Sequence, residues 1–190
     1  MAERADPRIP GFREGSKYRR KLFERYAFCN DYVENKITLD IPCGVGWGTS
    51  LLKGASDLHG VDIDKKSIDY ANKTYDNINF LTGNLIKIPY VNEFFDIVVC
   101  LEGYEHITKR DQIIFIKEAN RVMKEGGLII ITTPILTDKG LSTGNPFHLH
   151  EPSKKEAQDI FDKSFNTVKM DIIKGPDSEE IRFVGKKKYE

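Results

Sequence analysis

The sequence predicts an open, three-layer α/β sheet with helices on both faces. Short apolar runs that read as buried strands alternate with helical patterns along most of the chain, which is the order expected of βαβ units. A glycine-rich turn follows the first of these runs, and two strand-like runs flank a Gly-Pro-Asp turn near the C-terminal end, as in an antiparallel hairpin. In such a sheet, ligands bind at the carboxyl ends of the parallel strands.

The first half of the chain alternates helix and strand. Apolar residues that recur every four positions indicate a helix over about 17–34. The apolar run at 37–41 ends in the glycine-rich turn and is expected to be a buried strand, with a short helix after the turn, through Leu52. A second strand ends at Asp62 and is followed by a helix over about 65–75.

The same alternation continues past the middle of the chain. A third strand is expected at 78–81, and an almost wholly apolar run at 95–100 is typical of a central strand covered on both faces. Thr108 can cap a helix that runs to about Lys124, and a Gly-Gly pair then leads into a fifth strand at 128–133.

The last third begins with a long polar loop. Pro134 is expected to end the fifth strand, and the loop then covers 135–151. A Ser-x-x-Glu capping box starts a helix over about 153–161. The runs at 167–174 and 181–185 form the predicted hairpin.

Length and composition indicate one compact domain. The chain has 190 residues, of which 39% are hydrophobic and 31% charged, enough to bury a core. We expect residues 1–16, where prolines and glycines lie among charges, to form a flexible arm, and residues 17–190 to form the domain. Because 29 basic side chains balance 29 acidic ones, DNA is not expected as a partner.

The sequence carries no signal for membranes, export or cysteine chemistry. Its longest apolar run, at 126–136, is far shorter than the roughly 20 residues of a membrane-spanning helix, and the N-terminus lacks the apolar core of a secretory signal. We therefore expect a cytoplasmic protein that does not insert into membranes. Cys29, Cys43 and Cys100 are too widely spaced for a zinc or redox motif, and each is expected to be a small buried hydrophobe.

The glycine-rich turn predicts a nucleotide cleft. Gly44, Gly46 and Gly48 let the backbone turn sharply and let a ligand approach the main chain. Asp62, at the end of the second strand, can accept hydrogen bonds from ribose hydroxyls. A nicotinamide dinucleotide is disfavoured because its pattern is Gly-x-Gly-x-x-Gly, and a triphosphate loop is excluded because no Lys-Ser or Lys-Thr follows the glycines.

Five motifs in order give the chain a family resemblance. They are LDIPCGVGWG at 39–48, GVDID at 60–64, FLTGN at 80–84, FDIVV at 95–99 and VMKEGG at 122–127. Together they resemble the class I S-adenosylmethionine-dependent methyltransferases, and the resemblance covers nearly the whole chain after Tyr18. It implies a Rossmann-like sheet of seven mostly parallel strands whose last two form a hairpin, with S-adenosylmethionine as the cofactor.

The resemblance also implies which residues bind the cofactor. The glycine loop would hold its methionine part, Asp62 its ribose, and Asn84, where the family often has Asp, its adenine. Asp40 would orient the glycine loop or contact the cofactor's ammonium through water, and Arg25 could reach its carboxylate. The full set of expected cofactor-binding residues is Asp40, Gly44, Gly46, Gly48, Asp62, Ile63, Asn84, Leu85 and Leu101.

The segment after the fourth strand carries the candidate catalytic residues. Methyl transfer to a hydroxyl requires an aligned acceptor and a base that takes its proton. His106 is the first candidate for that base, with Glu105 beside it, and His148 on the long loop is the second. Glu102, Glu105 and His106 share one face of a helical turn.

The same turn suggests a metal site. A Glu-x-x-Glu-His turn resembles the metal-binding turn of some small-molecule and RNA-end methyltransferases, which makes Glu102, Glu105, His106 and His148 candidate ligands of a divalent ion. The alternative is that these side chains pair locally and hold no metal.

We predict an O-methyltransferase for a small hydroxylated acceptor. The stretches at 24–28 and 145–148 resemble methyltransferases that modify sugars and surface polysaccharides, so a sugar or a polysaccharide precursor is one expected acceptor. The N-terminal arm and the 135–151 loop would form a lid. The alternatives are an RNA acceptor, a NAD-binding oxidoreductase and a cofactor-binding protein without catalysis. The sequence does not indicate an oligomeric state.

Overall fold

The computed structural model describes residues 6, 8, 12, 15–137, 140, 142–175 and 178–189. The helices are α1 (Lys17–Cys29), α2 (Lys65–Thr74), α3 (Lys109–Val122) and α4 (Lys154–Ser164). The strands are β1 (Ile37–Asp40), β2 (Asp57–Asp62), β3 (Asn79–Thr82), β4 (Phe95–Leu101), β5 (Met123–Ile135), β6 (Phe165–Lys174) and β7 (Glu179–Lys187).

The seven strands form one mixed sheet in the order β3-β2-β1-β4-β5-β7-β6. The first five strands pair in parallel. β7 is antiparallel to both β5 and β6. The predicted α/β fold with a C-terminal antiparallel pair is therefore confirmed, although residues 176–177 of the expected hairpin turn lie outside the described residues.

The two faces of the sheet bury different halves of the core. On β4, Val98 and Cys100 pack in one cluster with residues of α3 and α4. Ile97, Val99 and Leu101 point the other way and pack in a second cluster with residues of α1. This alternation follows from the two-residue period of a strand, and it explains why the run is apolar at every position but Asp96. Cys29, Cys43 and Cys100 are buried, as expected.

Two helices near the glycine turn are shorter than the sequence suggests. The helix predicted over 17–34 ends at Cys29, and the helix expected through Leu52 is a single 3-10 turn, Thr49–Leu51. Asn30 accounts for both ends, because its side-chain amide donates to the carbonyl of Leu51 (3.1 Å) and its amide oxygen accepts from the Lys53 N–H (2.8 Å). The chain is thereby turned away from α1 toward β1.

The prediction that Pro134 ends the fifth strand is wrong, because β5 continues to Ile135. The carbonyl of Thr132 accepts from the N–H of Glu102, on the side of β4. The nitrogen of Pro134 points to that same side by alternation, beyond the last pair with β4, so its missing N–H breaks no ladder bond. The other side of β5 pairs with β7 from Leu128 to Ile135.

The predicted helix caps are confirmed. Thr108 accepts from the N–H of Asp111, and Ser153 accepts from the N–H of Glu156, each at 3.2 Å. Most of the predicted arm lies outside the described residues. Of its described part, Phe12 is buried against Trp47. In the part of the chain that the structure describes, every helix is too short or too polar to cross a membrane.

Candidate cofactor and active site

A cavity of about 360 Å³ opens at the carboxyl ends of the central parallel strands. Most of the predicted cofactor-binding residues line it, namely Gly44, Gly48, Asp62, Ile63, Asn84, Leu85 and Leu101. Asp40 and Gly46 are not part of the lining. The structure therefore brings together at one mouth residues from the loops after β1, β2, β3 and β4.

Asp62 ties the glycine loop to the end of β2. Its Oδ2 accepts from the N–H of Gly44 (2.9 Å), and its Oδ1 accepts from the N–H of Asp64 (2.8 Å). A carboxylate has about four acceptor positions, so these two bonds leave capacity on the cavity side. Asp62 can thus shape the loop and still accept from ligand hydroxyls.

Two of the glycines are required by close packing. Gly46 has a φ of 78°, and a Cβ atom there would lie 2.6 Å from the ring of Phe80. A Cβ atom on Gly48 would lie 2.1 Å from the ring of Tyr26. Gly46 therefore lets the turn pack on β3, whereas Gly48 lets α1 close over the loop from the other side.

Asp40 lies beneath the loop and anchors it. Its Oδ2 accepts from the hydroxyls of Thr49 (2.7 Å) and Tyr26 (3.0 Å), while its Oδ1 is buried without a hydrogen-bond partner. Burial raises the pKa of this carboxyl to about 7. The geometry agrees with the predicted role of orienting the glycine loop.

The region around Asn84 fits an adenine ring. The Oδ1 of Asn84 is buried without a hydrogen-bond partner, which is unusual for a buried acceptor and suits an amino donor. Ile63 lines the same cavity and is 69% exposed, so it offers a flat apolar surface at the mouth. The acceptor oxygens of Asp62 and Asn84 at this end therefore fit the ribose hydroxyls and adenine amino group of S-adenosylmethionine.

Arg25 does not reach the cavity. It is 6% exposed and its Nη2 lies 2.5 Å from Glu180 and 3.0 Å from Glu102. Glu102 lines the cavity, but its carboxylate also accepts from the Thr132 hydroxyl at 3.2 Å. Burial, reinforced by the neighbouring Glu105, raises the pKa of Glu102 although Arg25 opposes the shift. Arg25 therefore belongs to a buried network of charges and is not placed to bind the cofactor carboxylate as expected.

His106 presents one free ring nitrogen. Its Nδ1 lies 3.0 Å from the carbonyl oxygen of Phe147. Because a carbonyl only accepts, Nδ1 carries the proton and Nε2 of the neutral ring has the lone pair. Nε2 lies 3.9 Å from Oε1 of Glu105, which is fully buried and accepts from the Thr133 hydroxyl at 3.0 Å. His106 lines the cavity.

His148, by contrast, is engaged at both ring nitrogens. Its Nδ1 lies 2.5 Å from Oε1 of Glu151, and its Nε2 lies 3.0 Å from the side-chain amide nitrogen of Asn145. Because the side-chain amide of Asn145 donates to Nε2, the ring proton is on Nδ1, which donates it in a hydrogen bond to Glu151. The ring packs edge-on against His106, with 5.1 Å between centroids. His148 is therefore placed to hold the loop against His106.

Three of the four predicted metal ligands come together. Ligand atoms of Glu105, His106 and His148 lie within 4.8 Å of one another, and this set of one carboxylate and two imidazoles suits a transition-metal ion. Glu102 is not in the group. For His148 to bind an ion through Nε2, its contact with Asn145 has to open.

The sequence interpretation missed several residues of the cavity. These are Tyr18, Leu22, Tyr26, Ile86, Ile107 and Asp111. They come from α1, from the segment after β3 and from the start of α3. Nothing in their residue types distinguishes them from ordinary packing or surface positions, so only their spatial convergence identifies them.

Sequence comparison places a methyltransferase domain over the glycine loop and β4. Residues 39–131, just under half of the chain, match the family model described as a methyltransferase domain. Over 158 residues the chain is 28% identical to a "Probable S-adenosylmethionine-dependent methyltransferase" of Mycolicibacterium smegmatis, covering 81% of this chain and 61% of that protein. It is also 27% identical to a demethylmenaquinone methyltransferase of Bacillus velezensis, covering 64% of this chain and 54% of that one.

The chain spans between about half and three fifths of the length of these curated relatives. Among solved structures, the PH0226 protein of Pyrococcus horikoshii has the same fold, with a TM-score of 0.76 over 95% of this chain and 97% of that one, at 19% identity. The chain is therefore similar in sequence to S-adenosylmethionine-dependent methyltransferases, and the solved structure shows the same fold.

Proposed function

We propose that this chain, which carries a class I S-adenosylmethionine-dependent methyltransferase domain, binds that cofactor in its 360 Å³ cavity and methylates a hydroxyl group of a small acceptor. One observation carries the proposal. Asp62, Asn84 and His106 line a single cavity, so the groups suited to ribose, adenine and an acceptor proton meet in one place.

Each end of the cofactor has candidate partners in this chain. Asp62 would accept from the ribose hydroxyls, and the partnerless Oδ1 of Asn84 would accept from the adenine amino group. The backbone at Gly44 and Gly48, which lack side chains and line the cavity, would face the methionine part. When bound, S-adenosylmethionine supplies a methyl group activated by a sulfonium.

His106 would take the acceptor's proton. Its ring lines the cavity and Nε2 would hold the lone pair, while the carboxylate of Glu105, 3.9 Å from Nε2, would stabilise the imidazolium that forms. The oxygen of the acceptor is then free to attack the methyl carbon as its proton leaves. In this account Glu105 supports the base, and His148 positions it through the loop.

A divalent ion bound by Glu105, His106 and His148 is the second way in which this cluster could act. It would lower the pKa of an acceptor hydroxyl by direct contact. The observation in its favour is the 4.8 Å convergence of the three ligand groups. Calorimetric titration with zinc and magnesium, with and without the substitution His148→Ala, distinguishes this from the metal-free route.

The experiment that tests the proposal follows release of S-adenosylhomocysteine from S-adenosylmethionine across a panel of small hydroxylated compounds, phenols and sugars included. His106→Ala should lower turnover of any accepted compound by about a hundred-fold or more, since a general base contributes roughly that factor. The affinity for S-adenosylmethionine should stay nearly unchanged.

Other outcomes would favour the competing functions. Methylation of RNA instead of small compounds would change the acceptor, and NAD binding in place of S-adenosylmethionine would indicate an oxidoreductase. Tight cofactor binding with no turnover on either class would indicate a binding protein. A sugar as the acceptor stays a prediction from the sequence.

A further inference from the structure

The part of the cavity that the cofactor residues leave free is lined mostly by carbon. Leu22 comes from α1, Ile86 from the segment after β3, and Ile107 from the turn after β4. Sugars and phosphates need many polar partners when they leave water. These side chains offer none, so this end favours an apolar occupant.

The polar side chains at this end are largely engaged already. Asp111 accepts from the Thr108 hydroxyl at 2.8 Å. Glu102 faces Arg25 at 3.0 Å. The Nε2 of His106 is the ring nitrogen left for a ligand, because Nδ1 is held by Phe147. Asp111 and Glu102 keep some acceptor capacity, as Asp62 does, but beyond these carboxylates and His106 the described lining offers few polar groups to a ligand.

The charge of the lining is one-sided. Asp62 and Asp111 contribute carboxylates, and among the lining residues that the structure describes there is no lysine or arginine. Arg25, behind Glu102, is compensated by two carboxylates. A phosphate or carboxylate on the acceptor would therefore meet like charges and no cation.

Exposed apolar side chains occur in the cavity lining and on the loop beside it. Ile86 is 39%, Phe147 45% and Leu149 62% exposed. The backbone of the last two contacts the turn at 104–106. The Phe147 carbonyl contacts His106, and the Leu149 N–H donates to the carbonyl of Glu105 at 2.8 Å. Exposed apolar side chains grouped at a cleft commonly mark where a ligand lies.

From these four observations we infer that the acceptor is an uncharged, largely apolar molecule that carries a hydroxyl group, and that anionic acceptors are rejected. The inference rests on the proposed function and narrows it. It excludes sugar phosphates, nucleotide-linked sugars and RNA as acceptors, because all of them are anionic.

Fluorescence titration of the protein saturated with S-adenosylhomocysteine tests the inference without any knowledge of the natural acceptor. The probes are a naphthol, the corresponding naphthyl phosphate and a hydroxynaphthoate, which share a ring system and differ in charge. The naphthol should bind at least about ten-fold more tightly than either anion. Methyl glucoside, a neutral polar competitor, should not displace it at equal concentration.

Two pairs of variants localise the effect. Asp111→Asn should improve binding of the hydroxynaphthoate several-fold, whereas Asp159→Asn, on the exposed face of α4, should not. Ile86→Ser should weaken naphthol binding, whereas Ile173→Ser, equally exposed on β6, should not.

The inference is overturned if either anion binds as tightly as the naphthol, if methyl glucoside displaces it, or if the naphthol fails to bind while S-adenosylhomocysteine saturates the protein. Failure of S-adenosylhomocysteine itself to bind would instead contradict the proposed function.

Discussion

At the scale of single residues, the role that a side chain can play depends on the hydrogen-bond partners of its polar atoms. His106 and His148 have the same residue type and lie in contact, but both ring nitrogens of His148 lie within hydrogen-bond distance of a partner, whereas Nε2 of His106 has only Glu105, 3.9 Å away. The sequence could propose both as bases, because it contains the imidazoles. It could not rank them, since their partners Phe147 and Asn145 come into contact with the rings only through the loop's conformation.

Asp40 gives a test of burial through pH. Its pKa is about 7 in the folded protein because burial disfavours the charged form, and near 4 when unfolded. Between these values the folded state binds the extra proton, so this group's contribution to stability falls as pH rises from 4 to 7 and is constant above that. Relative to Asp40→Asn, the wild type should lose about 2 to 3 kcal/mol of unfolding free energy between pH 5 and pH 8.

Urea unfolding at several pH values measures this difference. The exposed Asp159→Asn serves as the control and should follow the wild type at every pH. Equal pH dependence of the wild type and Asp40→Asn would show that Asp40 ionises normally in the folded protein.

At the scale of elements, the glycine turn was predictable because its constraint is local. Glycine spacing indicates a sharp turn whatever surrounds it. The reason for each glycine was not predictable, since Phe80 and Tyr26 reach Gly46 and Gly48 from β3 and α1. The end of α1 and the length of β5 were likewise missed, because Asn30 contacts and β7 pairing are tertiary.

Gly46→Ala should destabilise the protein by about 3 kcal/mol, from the left-handed backbone and the clash with the Phe80 ring together. Gly140→Ala is the matched control: its φ of 74° is similar, but nothing lies within 4 Å of the added Cβ. It should cost only about 1 kcal/mol. If thermal or urea unfolding showed equal losses of stability for the two variants, the contact with Phe80 would not be the reason for glycine at position 46.

The loop at 142–151 is held by Glu151, which accepts from the N–H of Thr143 at 2.9 Å and contacts His148. The pKa of Glu151 is lowered although its burial opposes this, because it accepts hydrogen bonds from Thr143 and His148. Glu151→Gln should loosen the loop, so the amides of Leu149 and His150 should exchange hydrogen faster and turnover should fall.

In the same variant, affinity for S-adenosylmethionine should be unchanged. The loop contacts the turn that carries Glu105 and His106, and not the residues proposed to bind the cofactor. A fall in cofactor affinity with unaltered exchange would place Glu151 in the cofactor site. Turnover equal to the wild type would show that the loop does not position His106.

At the scale of the whole molecule, alternation of strands and helices fixed the sheet and the edge at which ligands bind. Asp62, Asn84 and Glu102 were expected at that edge from their position after successive strands, and they line one cavity there. The lining residues that the sequence did not predict come from α1, the start of α3 and the segment after β3. Their convergence depends on helix packing, which no local pattern of residues encodes.

The central claim is that the cavity holds S-adenosylmethionine. Calorimetric titration of the wild type and Asp62→Ala with S-adenosylmethionine, S-adenosylhomocysteine and NAD tests it most directly. The account predicts micromolar binding of the first two to the wild type, at least about ten-fold weaker binding to Asp62→Ala through loss of charged hydrogen bonds, and no binding of NAD. Binding of NAD alone, or of none of the three by the folded protein, would contradict it.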